Sequence, residues 1–286
     1  MNTQNMAAAK IERVNKIKIY KADDNSSRGW HFHDEYEMIY IQNGSASFTI
    51  NGKETIFEKN TIVFIGNLDK HMMTPIKEPY ARYVTIIDSA FFEQLVTEPV
   101  LCSIFKRCTK QFSNGISLEK EDSNFVMQNL EQSLADYNMA DSFYEYYCMT
   151  FVIKILIHLF RHNRTHFPDY VNKRKSQAIA PIQKFLDENY TRNISLDKLS
   201  SAFFINKYHL SRMFRETTGH SIKRYITLKR IRKAKELLYY TESDISHIAA
   251  ECGYNSTSNF IRAFIDSEEI TPLCFRKKHN RNQNSE

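Results

Sequence analysis

The chain has 286 residues, of which 42% are hydrophobic and only 7 are glycine and 6 proline, so we expect two folded domains rather than a low-complexity chain. Its five cysteines are scattered and odd in number and form no C-x-x-C pair, which argues against a disulfide framework and a structural zinc site. The whole net charge of +6 lies in residues 178–286, which hold 18 Lys and Arg against 12 Asp and Glu, so a polyanion is the expected partner of that part.

The N-terminus has no continuous apolar run, and we expect no signal peptide there. The most apolar stretch, residues 149–160, is too short to cross a bilayer and contains Lys154 and His158. Together with the unpaired cysteines, these features predict a cytoplasmic protein without a membrane segment.

Residues 20–88 have the pattern of short β-strands. Asn-Gly pairs at 43–44 and 51–52 separate alternating runs, which predicts a hairpin at each pair because both residue types accept a positive φ. Residues 61–65 and 81–88 are two further predicted strands. Strands at this near-regular spacing predict a small barrel or sandwich.

The pattern becomes helical after residue 88, and residues 143–162 form a helix that is apolar on most sides. Such a helix must be covered, either by its own domain or by a second subunit, and it is the candidate dimerisation surface. Residues 163–177 are polar and are predicted to be a linker. The chain is therefore predicted to have a sensing and dimerisation domain over residues 1–162 and a second domain over residues 178–286.

The second domain contains one helix-turn-helix unit twice. Leu210 aligns with Phe260, and Arg212 aligns with Arg262. Residues 221–240 form one long predicted helix that joins the units and holds them at a fixed separation. Two such units in one chain can read successive major grooves of one duplex, and we expect the DNA to bend.

Capping residues define the ends of the short helices in each unit. The predicted N-caps are Ser195, Asn206, Ser256 and either Ser243 or Asp244. Gly219 and Gly253 are the predicted helix stops, because glycine adopts the left-handed conformation without strain.

Residues 206–225 (NKYHLSRMFRETTGHSIKRY), the run RIRKAKELL, residues 245–254 (ISHIAAECGY) and residues 259–276 resemble the DNA-binding domain of the AraC/XylS family of bacterial transcription regulators. The resemblance implies an α+β multidomain fold. An N-terminal cupin-like β-barrel with a helical dimerisation segment would precede a C-terminal all-α domain with two helix-turn-helix units joined by a long helix. It also implies a homodimeric activator whose partners are double-stranded DNA, RNA polymerase and a small effector.

In that family, the second helix of each unit reads bases. The implied residues are Tyr208, Ser211, Arg212, Ser258, Asn259, Ile261 and Arg262. Arginine can bind guanine and asparagine can bind adenine through paired hydrogen bonds, and tyrosine or isoleucine can contact thymine methyls. We interpret Lys207, Lys229 and Arg230 as phosphate contacts, which add affinity without sequence information. Each of these residues could instead simply face solvent.

The second unit departs from the family pattern. Where the family usually has Phe-Lys-Lys and then Gly-x-Thr-Pro, this chain has Phe-Ile-Asp at 264–266 and Ser-Glu-Glu-Ile-Thr-Pro at 267–272. Two basic positions and a glycine are lost, and acids appear. We therefore expect the second unit to hold the DNA backbone weakly.

The N-terminal domain contains a second group of polar residues, in the order H-x-H-x3-E, then Gly and a distant His. These residues resemble the cupin metal motif, and residues 20–88 resemble the cupin-like sensor domain of the same regulator family. The four side chains are His31, His33, Glu37 and His71, and three imidazoles with one carboxylate suit a divalent transition metal.

The same four side chains have two other interpretations, since they could line a pocket that hydrogen-bonds a polar effector or be structural parts of the barrel wall. Trp30 and Tyr40 would complete an effector pocket by stacking against a sugar ring, or be core residues. The family resemblance favours a sugar as effector. No cofactor is required by the sequence, and a divalent metal is the one these residues would take.

Three functions fit these patterns: a ligand-responsive transcription regulator, a metal-dependent cupin enzyme or metal sensor that carries a DNA-binding domain, and a constitutive DNA-bending protein. No separate acid–base pair, nucleophile motif or phosphate loop supports an enzyme. The pocket-like N-terminal pattern argues against a purely architectural role. The first function is the one we predict.

Overall fold

The computed structural model describes residues 16–105, 114–167 and 173–283. The first part is a seven-stranded antiparallel sheet in the order β1-β6-β3-β5-β7, in which β2 also pairs with β6 and β4 with β3. The strands are β1 (Ile17–Ala22), β2 (Arg28–His31), β3 (Glu35–Ile50), β4 (Lys53–Glu58), β5 (Thr61–Ile65), β6 (His71–Asp88) and β7 (Gly115–Ser117).

The hairpin predicted at Asn43-Gly44 is wrong, because β3 runs through this pair as one strand. The register with β6 shifts around Asn43, and Gly44 has a φ of +76°. A side chain at Gly44 would overlap the backbone oxygens of Lys77 and Pro79. The pair therefore forms a bulge that bends a long strand. This bulge, like a hairpin turn, needs a residue with positive φ, so the same sequence signal fits both structures.

The hairpin predicted at Asn51-Gly52 is confirmed. Ile50 pairs with Lys53, and the two turn residues have φ values of 48° and 81°. The strand predicted over residues 61–65 is also confirmed as β5, and the one over residues 81–88 is the second half of β6.

The two faces of the sheet belong to different cores, because successive strand residues point to opposite sides. On β3, Ile39 and Ile41 pack inside the barrel. Tyr36, Met38 and Tyr40 face the other way, into a cluster completed by helices. These helices are α1 (Ser89–Leu95), α2 (Pro99–Cys102), α3 (Lys120–Met139) and α4 (Tyr144–His162), followed by a 3-10 turn at Arg164–His166.

The helix predicted over residues 143–162 is confirmed as α4, but its own domain covers most of its apolar surface. Met149, Val152 and Leu156 are fully or almost fully buried in the same cluster as the sheet. Exposed aromatic groups remain at its N-terminal end, at Phe143, Tyr146 and Tyr147. No helix among the described residues is long and apolar enough to cross a membrane.

The C-terminal part consists of helices. They are α5 (Lys173–Asn189), α6 (Leu196–Phe203), α7 (Lys207–Thr218), α8 (Ile222–Tyr240), α9 (Ile245–Glu251), α10 (Thr257–Glu268) and α11 (Pro272–Gln283). Since α5 begins at Lys173, residues 173–177 of the segment predicted as a linker are helical. Residues 168–172 of that segment lie outside the described residues.

The predicted caps are confirmed at three positions. The side chain of Ser195 accepts a hydrogen bond from the amide of Lys198, Asn206 accepts from the amides of Tyr208 and His209, and Ser256 accepts from the amide of Asn259. Asp244 is the N-cap residue of α9, but its side chain makes no capping hydrogen bond. Gly219 and Gly253 follow their helices with φ values of 77° and 85°, as expected for helix stops.

Candidate DNA interface and histidine cluster

Helix α7 has an apolar face turned inward and a polar face turned to solvent. Leu210 and Phe214 are fully buried, whereas Tyr208 is 76% exposed. The side chain of Arg212 is 69% exposed, with its Nε 3.9 Å from a carboxylate oxygen of Glu216. This contact lies in water and is weak enough for a ligand to replace. Of the other predicted residues, Ser211 is half-buried.

Helix α10 repeats this arrangement in the second unit. Phe260 and Phe264 are fully buried, while Ser258, Asn259 and Arg262 are exposed. Ile261 differs, because it is half-buried and packs against the core of the domain. Like Ser211, it is therefore less accessible than the other predicted base-reading residues.

Two acids of the segment that departs from the family pattern, Glu268 and Glu269, have partners. A carboxylate oxygen of Glu268 lies 3.0 Å from Nζ of Lys235 on α8. A carboxylate oxygen of Glu269 lies 2.7 Å from Nζ of Lys70 in the barrel. The departure from the family pattern thus supplies contacts within the domain and to the barrel.

The three predicted phosphate contacts do not share one surface. Lys207 lies at the start of α7 with its Nζ 3.1 Å from Asp197, in an exposed ion pair. Lys229 is buried, and its Nζ lies 2.5 Å from Asp34 and 2.8 Å from Asp187. The interpretation of Lys229 as a phosphate contact is wrong for this structure, because its ammonium group already lies between two carboxylates away from solvent.

Arg230 is also occupied by the protein itself. Its Nε donates a hydrogen bond to the backbone oxygen of Tyr190 at 2.7 Å, and an Nη donates to that of Arg192 at 2.9 Å. These bonds tie α8 to the end of α5. The guanidinium group of Arg230 is therefore not presented to DNA as the sequence predicts.

A buried charge cluster joins the barrel to α8. Asp34 is 1% exposed, and one of its oxygens lies 2.5 Å from Nζ of Lys229 and 2.6 Å from Arg232. Burial by itself would raise the pKa of Asp34, but the two cations hold it below its ordinary value. Burial by itself would lower the pKa values of Lys229 and Arg232, but the same ion pairs raise them above their ordinary values. All three groups are therefore charged at neutral pH.

The sequence gives no local signal for this contact, because Asp34 and Arg232 are 198 positions apart. Next to it lies a cavity of about 1000 Å³ between the barrel and the helical domain. Its lining includes Asp34, Asn67, Glu93, Tyr225, Lys229 and Arg232. Both domains thus contribute charged groups to one space.

The four polar residues predicted in the barrel come together. His31 ends β2 and pairs with His71 at the start of β6, while Glu37 lies on β3. Oε2 of Glu37 lies 3.1 Å from Nε2 of His33 and 3.3 Å from Nε2 of His71. The ring centroids of His31 and His71 are 4.1 Å apart. We call these four residues the histidine cluster.

The protonation of the histidine cluster follows from burial and mutual contact. Burial and the neighbouring His71 lower the pKa of His31 to about 4, so this ring is neutral at neutral pH. Burial opposes charge on His33, but its hydrogen bond with Glu37 and the charge of that residue raise its pKa. Burial would also raise the pKa of Glu37, yet its contacts with His33 and His71 hold it well below its usual range.

Neither aromatic residue predicted for this pocket lies in it. Tyr40 points to the opposite face of β3, where its hydroxyl lies 2.7 Å from Oγ of Ser123 on α3. Trp30 is 39% exposed, and Nζ of Lys70 lies 5.1 Å from the centroid of its ring. The placement of Tyr40 in the pocket is therefore wrong, because residues 37 and 40 of one strand face opposite sides.

A second cluster of this kind was not predicted. Oδ1 of Asp122 on α3 lies 2.7 Å from Nε2 of His158 and 2.9 Å from Nδ1 of His162, both on α4. The other oxygen of Asp122 accepts a hydrogen bond from Asn163 at 3.1 Å. The H-x3-H spacing on a predicted helix was the available signal, since it places two imidazoles on one helix face.

Two family models match this chain, one in each part. The model described as "AraC-like ligand binding domain" matches residues 17–101, and the model described as "Helix-turn-helix domain" matches residues 199–278. Together they match more than half of the chain, with the barrel in one model and both helix-turn-helix units in the other.

Curated relatives match over nearly the full length. The HTH-type transcriptional activator RhaS of Mannheimia succiniciproducens is 23% identical over 248 residues, which cover 86% of this chain and 88% of that protein. The transcriptional regulator YdeC of Bacillus subtilis is 23% identical over 263 residues, 87% of this chain and 86% of that protein. Transcriptional regulator Rob of Salmonella typhimurium is 33% identical over 93 residues, 32% of each chain.

A solved structure of ToxT from Vibrio cholerae has the same two-part fold. It covers 91% of this chain and 97% of its own, with a TM-score of 0.57 and 14% identity. A further ToxT structure contains an unsaturated fatty acid, with a TM-score of 0.54 over 91% of this chain and 94% of its own. These likenesses support the arrangement of a barrel followed by paired helix-turn-helix units.

Proposed function

The chain belongs to the AraC/XylS family of bacterial transcription regulators, and on that premise we propose that α7 and α10 read an operator whose use depends on an effector bound by the barrel. The family consists of DNA-binding regulators and not of enzymes, which excludes the cupin-enzyme hypothesis. We assign sensing and dimerisation to residues 1–162 and DNA binding to the helices from α5 onward.

One observation carries the proposal for the DNA interface. Both second helices of the repeated unit are capped at the N-terminus, buried on the aromatic side and exposed on the polar side. We propose base contacts for Tyr208, Ser211, Arg212, Ser258, Asn259, Ile261 and Arg262, and a phosphate contact for Lys207. Helix α8 joins the two units, which is the arrangement needed to enter neighbouring major grooves of one duplex.

The test is selection of bound duplexes from random DNA, followed by gel-shift titration of the full chain at physiological salt. We expect one preferred site, and Arg212→Ala to lose about tenfold or more of specific affinity, as for a lost bidentate base contact. Lys207→Ala should weaken all sequences alike and reduce the salt dependence by about one phosphate contact. Lys120→Ala, which removes an exposed cation from α3, is the charge-matched control. Equal affinity for selected and random DNA would overturn the proposal.

We further propose that the protein acts as a cytoplasmic homodimer that activates transcription. RhaS is named a transcriptional activator, and an activator at a promoter acts on RNA polymerase, which we propose as a partner. An exposed aromatic patch where α3 meets α4 supports a second copy of the chain as the occupant of that surface. The four described cysteines are free, in keeping with the reducing bacterial cytoplasm.

The histidine cluster is the proposed effector site, because it lies next to the contact between barrel and α8. His33 directly precedes Asp34, whose carboxylate lines the adjoining cavity. A sugar is one candidate class, and the fatty acid bound by ToxT makes an organic acid another. Calorimetric titration of the full chain with sugars, fatty acids and divalent metals would identify the class, with His33→Ala as the site control.

A further inference from the structure

The histidine cluster offers three imidazole nitrogens and one carboxylate oxygen within 4.8 Å of one another. We propose that it binds a divalent transition-metal ion, such as Zn²⁺, Ni²⁺ or Co²⁺, and that the bound ion fixes the two barrel segments that hold the DNA-binding domain. Nitrogen ligands with a single carboxylate suit this class of ion better than Mg²⁺ or Ca²⁺. The inference rests on the proposed function, since it names the ligand of the proposed effector site.

The backbone fixes the orientation of all three imidazole rings. The Nδ1 atoms of His31, His33 and His71 donate to the backbone oxygens of Gly29, Glu35 and Asp69 at 2.7, 3.3 and 2.8 Å. A proton held on Nδ1 leaves the lone pair on Nε2, the atom through which His33 and His71 contact Glu37. Metal-binding histidines in proteins are held by outer hydrogen bonds of this kind.

The spacing inside the cluster fits ligands around one ion. Ligands at about 2.0–2.1 Å from a tetrahedral ion lie about 3.3 Å from one another. The two measured separations between Nε2 and Oε2 of Glu37 are 3.1 Å for His33 and 3.3 Å for His71. The side chain of His71 is 3% exposed, and its Nε2 lies 3.3 Å from the carboxylate of Glu37 with no other hydrogen-bonding partner. With the ring proton on Nδ1, this buried nitrogen presents a lone pair to a carboxylate oxygen, and a metal ion between the two would satisfy both.

The first histidine-bearing segment also holds the DNA-binding domain. His31 and His33 belong to the cluster, whereas the alternate residues Phe32 and Asp34 contact the helical domain. Phe32 lies in the buried core of that domain, with Nζ of Lys235 4.8 Å from its ring centroid. Ligands and docking contacts thus alternate along a single stretch of chain.

The second segment, residues 68–71, repeats this arrangement. Leu68 is buried in the core of the helical domain, and Lys70 forms the ion pair with Glu269. Asp69 accepts the hydrogen bond from His71 Nδ1 through its backbone oxygen, while its carboxylate lies 3.9 Å from Nε2 of His220. An ion that draws the four ligands together would therefore order both docking segments. It changes the docking equilibrium because it binds the docked geometry more tightly than the released one.

The Asp122 cluster supplies the internal control. Its two imidazoles both contact one oxygen of Asp122, and the ring of Phe125 stacks on His158 with centroids 3.9 Å apart. Its members satisfy one another, so it needs no ion. Removing His162, whose side chain is 53% exposed, should leave metal binding unchanged.

Trp30 is the only tryptophan of the chain and directly precedes His31, so its fluorescence reports this site alone. Titration of chelator-treated full-length protein with Ni²⁺ should quench it saturably at one equivalent, and Co²⁺ should give visible d–d absorption. His33→Ala and Glu37→Gln should weaken binding by about 100-fold or more, beyond the usual loss for an outer-sphere change. Circular dichroism first establishes that each variant has the native fold. Because two different ligands are replaced, the test still stands if one of the variants misfolds. Wild-type affinity in both folded variants, or loss of binding in His162→Ala, would overturn the site.

Hydrogen exchange tests the coupling. Saturating metal should slow exchange about tenfold in residues 29–34 and 68–71 and in α8. Asp34→Asn should still bind the ion but lose the protection of α8. Unchanged exchange in α8 with metal bound would overturn the coupling. If the protein binds no metal but still prefers one operator, the metal site is overturned and the DNA-binding proposal stands. If the protein prefers no operator, the DNA-binding proposal is overturned, with or without metal binding.

Discussion

Arg212 and Arg262 occupy matching positions in α7 and α10, but the charges around them differ. Helix α7 also carries Lys207 and Arg215, whereas α10 has no other cation and ends in Asp266 and Glu268. Phosphate attraction depends on the summed charge near the groove. We therefore expect the first unit to bind DNA more tightly than the second.

We predict that Arg212→Ala weakens operator binding about tenfold or more and that Arg262→Ala weakens it less. The reason is that we expect α10, with one cation and two acids, to bind its groove weakly, so the loss of one contact removes less binding free energy. Gel-shift titration of both variants on the same duplex at the same salt concentration measures this. Equal losses would contradict the difference between the two units.

Residue roles that depend on neighbours in sequence were predictable, and those that depend on distant partners were not. The caps at Asn206 and Ser256 follow from local spacing and are confirmed. Lys229 was misassigned because a lysine on a basic helix face looks the same whether it meets phosphate or carboxylate. Its partner Asp34 is 195 positions away, and only packing of the barrel on α8 brings them together.

Two glycines that end helices differ in the space around them. Gly219 and Gly253 both have a positive φ, of 77° and 85°. A Cβ at Gly219 would meet open space, whereas one at Gly253 would overlap the backbone carbonyl of Thr191, next to α6. Gly253 therefore combines a conformational requirement with a close approach of two loops.

We predict that Gly219→Ala lowers the free energy of unfolding of the helical domain by about 1 kcal/mol, the cost of a left-handed alanine. Gly253→Ala should cost about 3 kcal/mol or more, because the overlap forces the loops apart as well. Urea unfolding followed by far-ultraviolet circular dichroism reports the helices, while Trp30 fluorescence reports the barrel and serves as internal control. Similar losses for both substitutions would show that the Thr191 contact relaxes freely.

For the strands, the sequence predicted where they lie along the chain more reliably than how they pair. The Asn51-Gly52 turn and β5 were predictable from local pattern, since a two-residue loop and a short apolar run leave few alternatives. The Asn43-Gly44 pair was not, because a bulge and a hairpin need the same positive φ. Only the pairing of β3 with β6 along nearly its whole length decides between them. The strands β2 and β7 are too short to give a periodic signal.

The contact between the two domains is the main feature at the scale of the whole molecule. The buried Asp34 joins Lys229 and Arg232, whereas the exposed Lys70–Glu269 pair lies at the rim, with Glu269 61% exposed. Removing one partner of a buried pair leaves an uncompensated charge, which costs several kcal/mol, while a surface pair contributes about 1 kcal/mol or less. Asp34 is thus the charge on which the docked arrangement depends.

We predict that Asp34→Ala releases the helical domain from the barrel, and that Lys70→Ala does not. Small-angle scattering should show a larger radius of gyration for Asp34→Ala, and limited proteolysis should cut faster between residues 163 and 177. Lys70→Ala is the matched control, because it breaks an ion pair across the same interface at an exposed position. Compact scattering and unchanged proteolysis for Asp34→Ala would mean that Phe32 and Leu68 hold the domains together without the charges.

At the scale of the whole molecule, we propose the aromatic patch between α3 and α4 as the dimer surface. Met139 is 70% exposed, Phe143 80% and Tyr147 54%, and all lie within a few residues of the turn. Aromatic and methionine side chains are enriched in protein interfaces, whereas their exposure to water does not stabilise an isolated monomer. In a twofold dimer the same patch faces itself, so each substitution acts twice.

We predict that Phe143→Glu converts the dimer to a monomer at micromolar concentration, because it would place two carboxylates in an apolar contact. Light scattering measures the mass, and Lys154→Glu, an exposed change in the middle of α4, should leave the dimer intact. Since the two helix-turn-helix units lie in one chain, the monomer should still bind a single operator, and only binding to paired operators should weaken. A wild-type chain that is monomeric under these conditions would remove the patch as a dimer surface without touching the DNA interface.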